Sequence, residues 1–328
     1  MSVGASYKGS IYERTAMSQA DVIFKEMCED IIEHGTDNKG EEIRPRWEDG
    51  TPAYTLARFG VVNRYDLSAE FPALTFRKVA FKTCIDELLW IWQKQSENIR
   101  DLKGHIWDAW ADENGSIGKA YGYQQAKKHF YTDVNEDALI RAFGGLTGKN
   151  GHRYAENASL NGRSGFYMTQ LDKAIYDLKT TPFSRRILVS MWNPEEQFEM
   201  HLAPCAYEMT FMVTRDEEGS VLNGILNQRS NDLLAAGNWN VVQYSVLIHM
   251  LAHITGMKAG EFLHVIGNAH IYDRHLEIIK ELIKRPQYPA PKFAITREVK
   301  DFYDFTVDDF SLTDYTYGPQ VERIPVAV

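Results

Sequence analysis

Residues 204–230 read PCAYEMTFMVTRDEEGSVLNGILNQRS. Apolar and polar side chains alternate from Ala206 to Thr214 and again from Ser220 to Asn227, and the polar stretch Arg215-Asp216-Glu217-Glu218-Gly219 joins the two runs. Alternation of this kind marks strands with one buried face, so the segment predicts a β-hairpin turning near Glu217. Glu217 is midway between Cys205 and Arg229. The two strands therefore return Arg229 to the side of Cys205. A guanidinium beside a thiol favours the thiolate, lowers its pKa and prepares it as a nucleophile. A lone cysteine near the start of a strand is more often a small core residue. The arginine across the hairpin, followed by Ser230, tips the reading towards chemistry. Arg-Ser also supplies the cation and hydroxyl that a phosphate needs. The segment predicts a nucleophilic cysteine at one end of a phosphate-bearing substrate.

Composition narrows the class. The chain has 328 residues, 44% of them hydrophobic, with 17 Tyr, 16 Phe and 7 Trp, enough for a substantial core. No apolar run approaches the roughly 18 residues of a membrane span. Met1-Ser2-Val3-Gly4-Ala5 lacks the basic-then-apolar order of a signal peptide. Cys28, Cys84 and Cys205 are an odd number of widely spaced cysteines, which suits free thiols in a reducing cytosol, and a cytoplasmic location is expected. The net charge of −9 repels nucleic-acid polymers and anionic membranes. Phosphate must then be held by a few local arginines, and a small nucleotide fits better than DNA.

Outside the hairpin, the spacing predicts a helix over 18–34, with Ser18 as N-cap, Asp21 closing a capping-box-like pair and Gly35 ending it. Val22, Ile23, Met27, Ile31 and Ile32 form its apolar stripe. Residues 37–54 read as a polar loop carrying Arg44 and Arg46. A second helix is expected over 79–93, with Glu87 inside its apolar stretch. A strand is expected over 186–192, a core helix, apolar nearly all round, over 240–255, and a strand over 262–266. Residues from about 127 to 165 are polar, glycine-rich and without sustained period, and read as a surface insertion. Gly144 to Gly151 lacks the Ser/Thr that must follow the lysine of a Walker motif, so it reads as a loop. No repeat and no clean domain boundary appear. The order of elements predicts one mixed α+β domain over 1–328.

Several residues admit two readings. Glu87 either pairs with a nearby base or, with the raised pKa that apolar surroundings impose, serves proton transfer. Trp107 and Trp110 are core residues by default, but aromatic planes beside a polar loop also stack on heterocycles. Arg185-Arg186 reads either as a solvated pair or as a fixed cationic edge ahead of a strand. His249 and His253 have a metal-compatible spacing, yet on a buried helix with no zincin glutamate they read as core or interface histidines. No metal site is expected.

Glu87-Leu88-Leu89-Trp90, Ile106-Trp107-Asp108-Ala109-Trp110, Tyr121-Gly122, Arg185-Arg186-Ile187, Leu202-Ala203-Pro204-Cys205, Gln228-Arg229-Ser230-Asn231-Asp232, Trp239-Asn240-Val241, His270-Ile271-Tyr272 and Pro325-Val326-Ala327-Val328 occur in this order. In identity and spacing they resemble folate-dependent thymidylate synthase over nearly the whole chain outside the first 17 residues and the insertion. The resemblance implies a mixed β-sheet layered with helices, and a homodimer packed through the sheets. It implies reductive methylation of dUMP to dTMP with 5,10-methylenetetrahydrofolate, which leaves as dihydrofolate. Cys205, Glu87, Tyr121 and Arg229 would be the catalytic set, Cys205 attacking C6 of uracil. Arg44, Gln228, Arg229, Ser230, Asp232, Asn240, His270 and Tyr272 would bind dUMP, with Arg185 and Arg186 reaching in from the other subunit. Trp107, Asp232, Trp239 and the carboxylate of Val328 would face the folate.

The chain departs from the family pattern at three places. Ala206 stands where many members have His, so water or another side chain is expected to fill that space. Asn268 replaces a more usual Asp, and Ala236-Gly237-Asn238-Trp239 replaces Gly-x-Pro-Phe. Two other functions are compatible with these residues: a dUMP hydroxymethylase of the same fold, and an idle regulator that binds nucleotide or RNA. The acidic charge and the retention of Cys205, Arg229 and Asn240 together argue against the regulator.

Overall fold

The structure is a computed structural model that describes residues 17–321 and 323–328. The stretch Met1–Ala5, read above for targeting, lies outside them. The elements are α1 (Gln19–His34), β1 (Thr36–Asp37), β2 (Thr55–Asp66), α2 (Phe81–Trp92), α3 (Gly122–Ala126), β3 (Lys128–Tyr131), α4 (Glu136–Phe143), β4 (Glu156–Leu160), β5 (Arg163–Thr169), α5 (Gln170–Thr180), β6 (Leu188–Ser190), β7 (Ala206–Asp216), β8 (Gly219–Asp232), α6 (Gly237–Thr255), β9 (Lys258–Tyr272), α7 (Leu276–Leu282), β10 (Lys292–Ile295) and β11 (Phe310–Thr313).

The alternating runs form the expected hairpin: β7 and β8 pair antiparallel as far as Asp216 opposite Gly219, with one bulge at Ala206/Glu208. They lie inside a six-stranded mixed sheet of order β1-β2-β9-β8-β7-β6. β8 and β9 run parallel. A parallel pair needs a crossover, and α6 supplies it. That explains why α6 is apolar nearly all round: it packs on β8 and β9 and against α2 and α5. Gly256, at φ 68°, ends it in the left-handed conformation. The helix comes so close to the sheet at Gly224 that a Cβ there would lie 2.6 Å from Ile248 Cδ1.

Among the described residues, no helix layer covers the other face of the sheet. Arg64, Leu263, Ile225, Thr210 and Leu188 form one cross-strand row on it, and Val62 sits opposite Val265 in the next. Val62, Leu188 and Met212 are exposed. The result is the α+β architecture expected, one layer of helices on a mixed sheet.

Several local expectations are corrected. α1 has no capping box: the Ser18 hydroxyl donates to the Ala73 carbonyl at 3.3 Å, and the Asp21 carboxylate accepts from the Thr75 amide at 2.8 Å and from its hydroxyl. Both side chains tie the helix to a neighbouring loop instead. Its buried side is Ala20, Phe24, Met27, Cys28 and Ile31, so Val22, Ile23 and Ile32 lie at the margin. The strand expected from residue 186 is only Leu188–Ser190. The strand expected to end at Ile266 runs on to Tyr272, and β2, which pairs with it, was not anticipated. Residues 127–165 hold ordered structure: a three-stranded sheet, β3-β5-β4, with α4 and a small core that includes Leu139, Phe166 and Met168. Each element there is too short for a period to show. Gly144 caps α4 and Thr147 bridges Arg153, so the glycine-rich run is a closed turn.

Gly224→Ala tests the close approach of α6. Alanine gains up to about 1 kcal/mol over glycine in backbone entropy, but overpacking costs about 1–3 kcal/mol. The clash should win, giving a lower urea midpoint in equilibrium unfolding.

Candidate active site

The hairpin register brings Arg229 to Cys205: the Arg229 amide donates to the Cys205 carbonyl at 2.9 Å. The guanidinium then folds back over the segment before β7. Its Nε donates to the Pro204 carbonyl at 3.1 Å, its Nη2 donates to the Ala203 carbonyl at 2.7 Å and lies 3.7 Å from Cys205 Sγ. One side chain thus fixes the backbone ahead of Cys205 and faces its sulfur. From the other side the Tyr121 hydroxyl accepts from the Cys205 amide at 3.0 Å. Tyr121 holds that position with φ 42° and ψ −101°, a costly conformation for a side-chain-bearing residue. The following residue must be Gly122, because a Cβ there would lie 2.0 Å from the Ser96 carbonyl oxygen.

One electrostatic expectation is corrected. Burial pushes the Cys205 thiol above its ordinary pKa, and the pull of Arg229, Tyr121 and Arg44 towards the thiolate is smaller. Arg229 acts in the expected direction, but desolvation outweighs it.

Glu87 projects from α2 into the junction with α6. Its carboxylate accepts from the indole N–H groups of Trp107 and Trp239 and from Gln243 Nε2. Burial raises its pKa, and those three donors oppose the rise. Trp107 is buried, as the core reading has it: its N–H is committed to Glu87 and its ring stands edge-on to Tyr121 at 5.1 Å. Asn240, one turn before Gln243, receives a hydrogen bond from Gln228 Nε2 at 3.1 Å and donates to Gln243 Oε1 at 3.2 Å.

At the end of β9, His270 Nδ1 donates to Asn268 Oδ1 at 2.9 Å, so the amide at this position serves as the ring's acceptor. Burial lowers the His270 pKa against the pull of Asp232, and pushes the Tyr272 hydroxyl up to about 12. Asp232 ends β8, accepts from the Leu234 amide at 3.0 Å and lies 3.4 Å from His275 Nδ1. Burial alone would raise its pKa, but His275, His270 and the backbone donors together hold it low.

The chain end covers this space. Val328 and Arg46 exchange backbone hydrogen bonds of 2.9 and 3.0 Å, His275 Nε2 donates to the Pro325 carbonyl at 2.8 Å, and Arg323 pairs with Glu48 at 2.8 Å. The partly open cleft measures about 1550 Å³ and is lined by Arg44, Glu87, Trp107, Tyr121, Cys205, Ala206, Gln228, Arg229, Ser230, Asp232, Trp239, Asn240, His270, Tyr272 and Val328. Arg185 and Arg186 are not among the residues the single chain brings there; both are exposed ahead of β6. Sequence reasoning missed Gln243, which lies one turn from Asn240, and His275, three residues beyond Tyr272. His249 is half-buried beside Phe71 and Phe293, and desolvation of its ring lowers its pKa to about 4. Among the described residues no group of three or more His, Cys, Asp or Glu is arranged to hold a metal.

An α+β sheet that carries a thiol beside an arginine, in a cleft bordered by the chain end, has the groups that an enzyme acting on an anionic substrate needs. Residues 22–328 match the family model described as Thymidylate synthase. The thymidylate synthase of Bacillus mojavensis is 40% identical over 309 residues, which cover 93% of this chain and 98% of that one. That of Bacillus phage phi3T is 38% identical over the same shares. The solved structure of thermostable thymidylate synthase A from Bacillus subtilis superposes with a TM-score of 0.78 at 39% identity, covering 95% of this chain and all of that one. The chain belongs to the thymidylate synthase family. It is a methyltransferase that converts dUMP to dTMP, with 5,10-methylenetetrahydrofolate as one-carbon and hydride donor and dihydrofolate as by-product. Neither the hydroxymethylase nor the idle regulator gains support from these relatives.

The thiol shift has a testable sign. Cys205 becomes reactive as pH rises through its raised pKa, so alkylation by iodoacetamide should titrate above the ordinary thiol range of about 8.5. Arg229→Gln should move the midpoint higher still. A wild-type midpoint at or below the ordinary value, read by mass spectrometry of the modified peptide, would mean that Arg229 outweighs burial.

Proposed function

We propose that Cys205 is the nucleophile of this reaction, adding to C6 of uracil so that C5 becomes an enolate-like carbon that takes the one-carbon unit. Loss of the C5 proton, assisted by Tyr121, breaks the bond from the one-carbon unit to the folate nitrogen, and hydride from the tetrahydrofolate then completes the methyl group as the Cys205–C6 bond breaks and the thiolate leaves. Arg44, Arg229 and Ser230 hold the 5′-phosphate, Gln228 and Asn240 face the pyrimidine, and His270 and Tyr272 take the deoxyribose hydroxyl. Glu87 organises proton transfer around O4, a role that suits a carboxylate whose burial raises its pKa. Trp107, Asp232, Trp239 and Val328 face the folate. The observation that carries this reading is Cys205 Sγ 3.7 Å from the Arg229 guanidinium, in the same cleft as the Asn240 amide and the chain end.

Arg185 and Arg186 complete the phosphate site from the second subunit of a homodimer. The open, partly apolar sheet face next to β6 supports this assembly, since covering Val62, Leu188 and Met212 removes apolar surface from water. A cytoplasmic location agrees with three free cysteines and with the lack of any described helix long and apolar enough to cross a membrane.

The direct assay mixes the protein with dUMP and methylenetetrahydrofolate and follows dihydrofolate absorbance and product mass. 5-Fluoro-dUMP with the folate should label Cys205, and Cys205→Ser should lose nearly all turnover while still binding dUMP. A label on Cys28 or Cys84 would sink the assignment. Mixing Arg185→Ala subunits with Cys205→Ser subunits should restore activity, because one site of the mixed dimer then has an intact thiol and an intact partner arginine. Heterodimers no more active than either parent would count against shared sites. Deleting Val328 should cut turnover strongly with little change in binary dUMP affinity, because a closing chain end excludes water and aligns the reactants.

A further inference from the structure

The Asn240 amide is held between two glutamines, and each glutamine is fixed by groups that can only accept. Gln228 Nε2 donates to Asn240 Oδ1 at 3.1 Å and to the Ser230 carbonyl at 2.9 Å. Gln243 Nε2 donates to the Cys84 carbonyl at 3.2 Å and to the Glu87 carboxylate, leaving its oxygen to accept from Asn240 Nδ2 at 3.2 Å. Beyond Gln228 stands His264 of β9, fully buried, with Nε2 2.7 Å from Gln228 Oε1. Burial lowers the pKa of this imidazole to about 3, so it carries one proton. Gln228 presents oxygen to it, so that proton is on Nε2, and Nδ1 has no hydrogen-bond partner among the described residues.

The hydrogen bonds therefore run one way, from His264 through Gln228, Asn240 and Gln243 to Glu87. Turning Asn240 alone would set oxygen against the Gln243 oxygen and NH₂ against the Gln228 NH₂. Turning the glutamines with it would set their oxygens against the Ser230 and Cys84 carbonyls. Only one direction leaves all three side-chain amides paired.

We propose that His264 and Gln243 are specificity-determining positioning residues, which lock the Asn240 amide with its oxygen towards uracil N3–H and its NH₂ towards O4. Cytosine presents the reverse pattern, an N3 acceptor and an N4 donor, and meets the wrong end of a fixed amide. This inference rests on Asn240 facing the pyrimidine, as proposed above.

The experiment compares dissociation constants and kcat/KM for dUMP and dCMP. The wild type is assayed first for dihydrofolate formation from dUMP; failure there would undo the functional reading itself. Given that activity, Gln243→Leu and His264→Phe should narrow the dUMP-to-dCMP preference by roughly tenfold or more, the scale of one mismatched buried hydrogen bond. His264→Gln, which keeps an N–H donor, should retain the wild-type ratio. A merely structural role would weaken both nucleotides in proportion. Folded variants with an unchanged ratio would overturn the proposal, and if His264→Phe does not fold, Gln243→Leu decides alone.

Discussion

A carboxylate buried between two helices constrains most of this molecule. Leaving an ionised Glu87 unpaired in that junction would cost several kcal/mol, so the structure must bring donors to it. It brings three, Trp107 from one turn and Trp239 and Gln243 from the start of α6. Meeting that demand joins α2, the turn around Trp107 and the first turns of α6. The same bonds orient two indole rings in the cleft and, through Gln243, the amide of Asn240. Satisfying one buried charge therefore shapes the floor of the site and sets the direction of its polar groups.

Charge is distributed unevenly. The protein carries a net −9, yet Arg44, Arg46, Arg229, Arg274 and Arg323 all line one cleft. Two of these are tied down locally: Arg274 pairs with Asp49 at 2.7 Å and Arg323 with Glu48 at 2.8 Å. Arg229 is different, because it binds backbone carbonyls and keeps its positive charge uncancelled by a carboxylate. It can hold the segment before Cys205 and still attract an anion. The thiol beside it pays for enclosure with a raised pKa, so the environment that excludes water also works against the thiolate.

The chain end belongs to the same economy of polar groups. His275 stands between the Asp232 carboxylate and the Pro325 carbonyl, which couples a carboxylate at the end of β8 to the closing segment. Burial lowers the His275 pKa, but Asp232, the Pro325 carbonyl and Asp273 more than reverse this, and the net shift is upward. The protonated ring suits both neighbours. Closure over the cleft is thus built from a histidine, two backbone hydrogen bonds at Arg46 and a surface ion pair.

Local pattern in the sequence was enough for the hairpin of β7 and β8, the buried helix α6 with its Gly256 stop, and the meeting of Cys205 with Arg229. Each of those depends on period, turn chemistry or symmetry about a turn, which a linear sequence carries in full. The small sheet after α3 was not legible, because its strands are too short to show a period and its core is shared with α5. The capping box at Ser18 failed because a buried loop competed for the same side chains. The sequence by itself determined which chemical groups exist and which neighbours along the strand must face each other. Only the tertiary structure decided the balance at Cys205, the direction of the amides around Asn240 and the place of Glu87. Those outcomes depend on desolvation and on donors brought from distant segments, and neither is a property of any local stretch of chain.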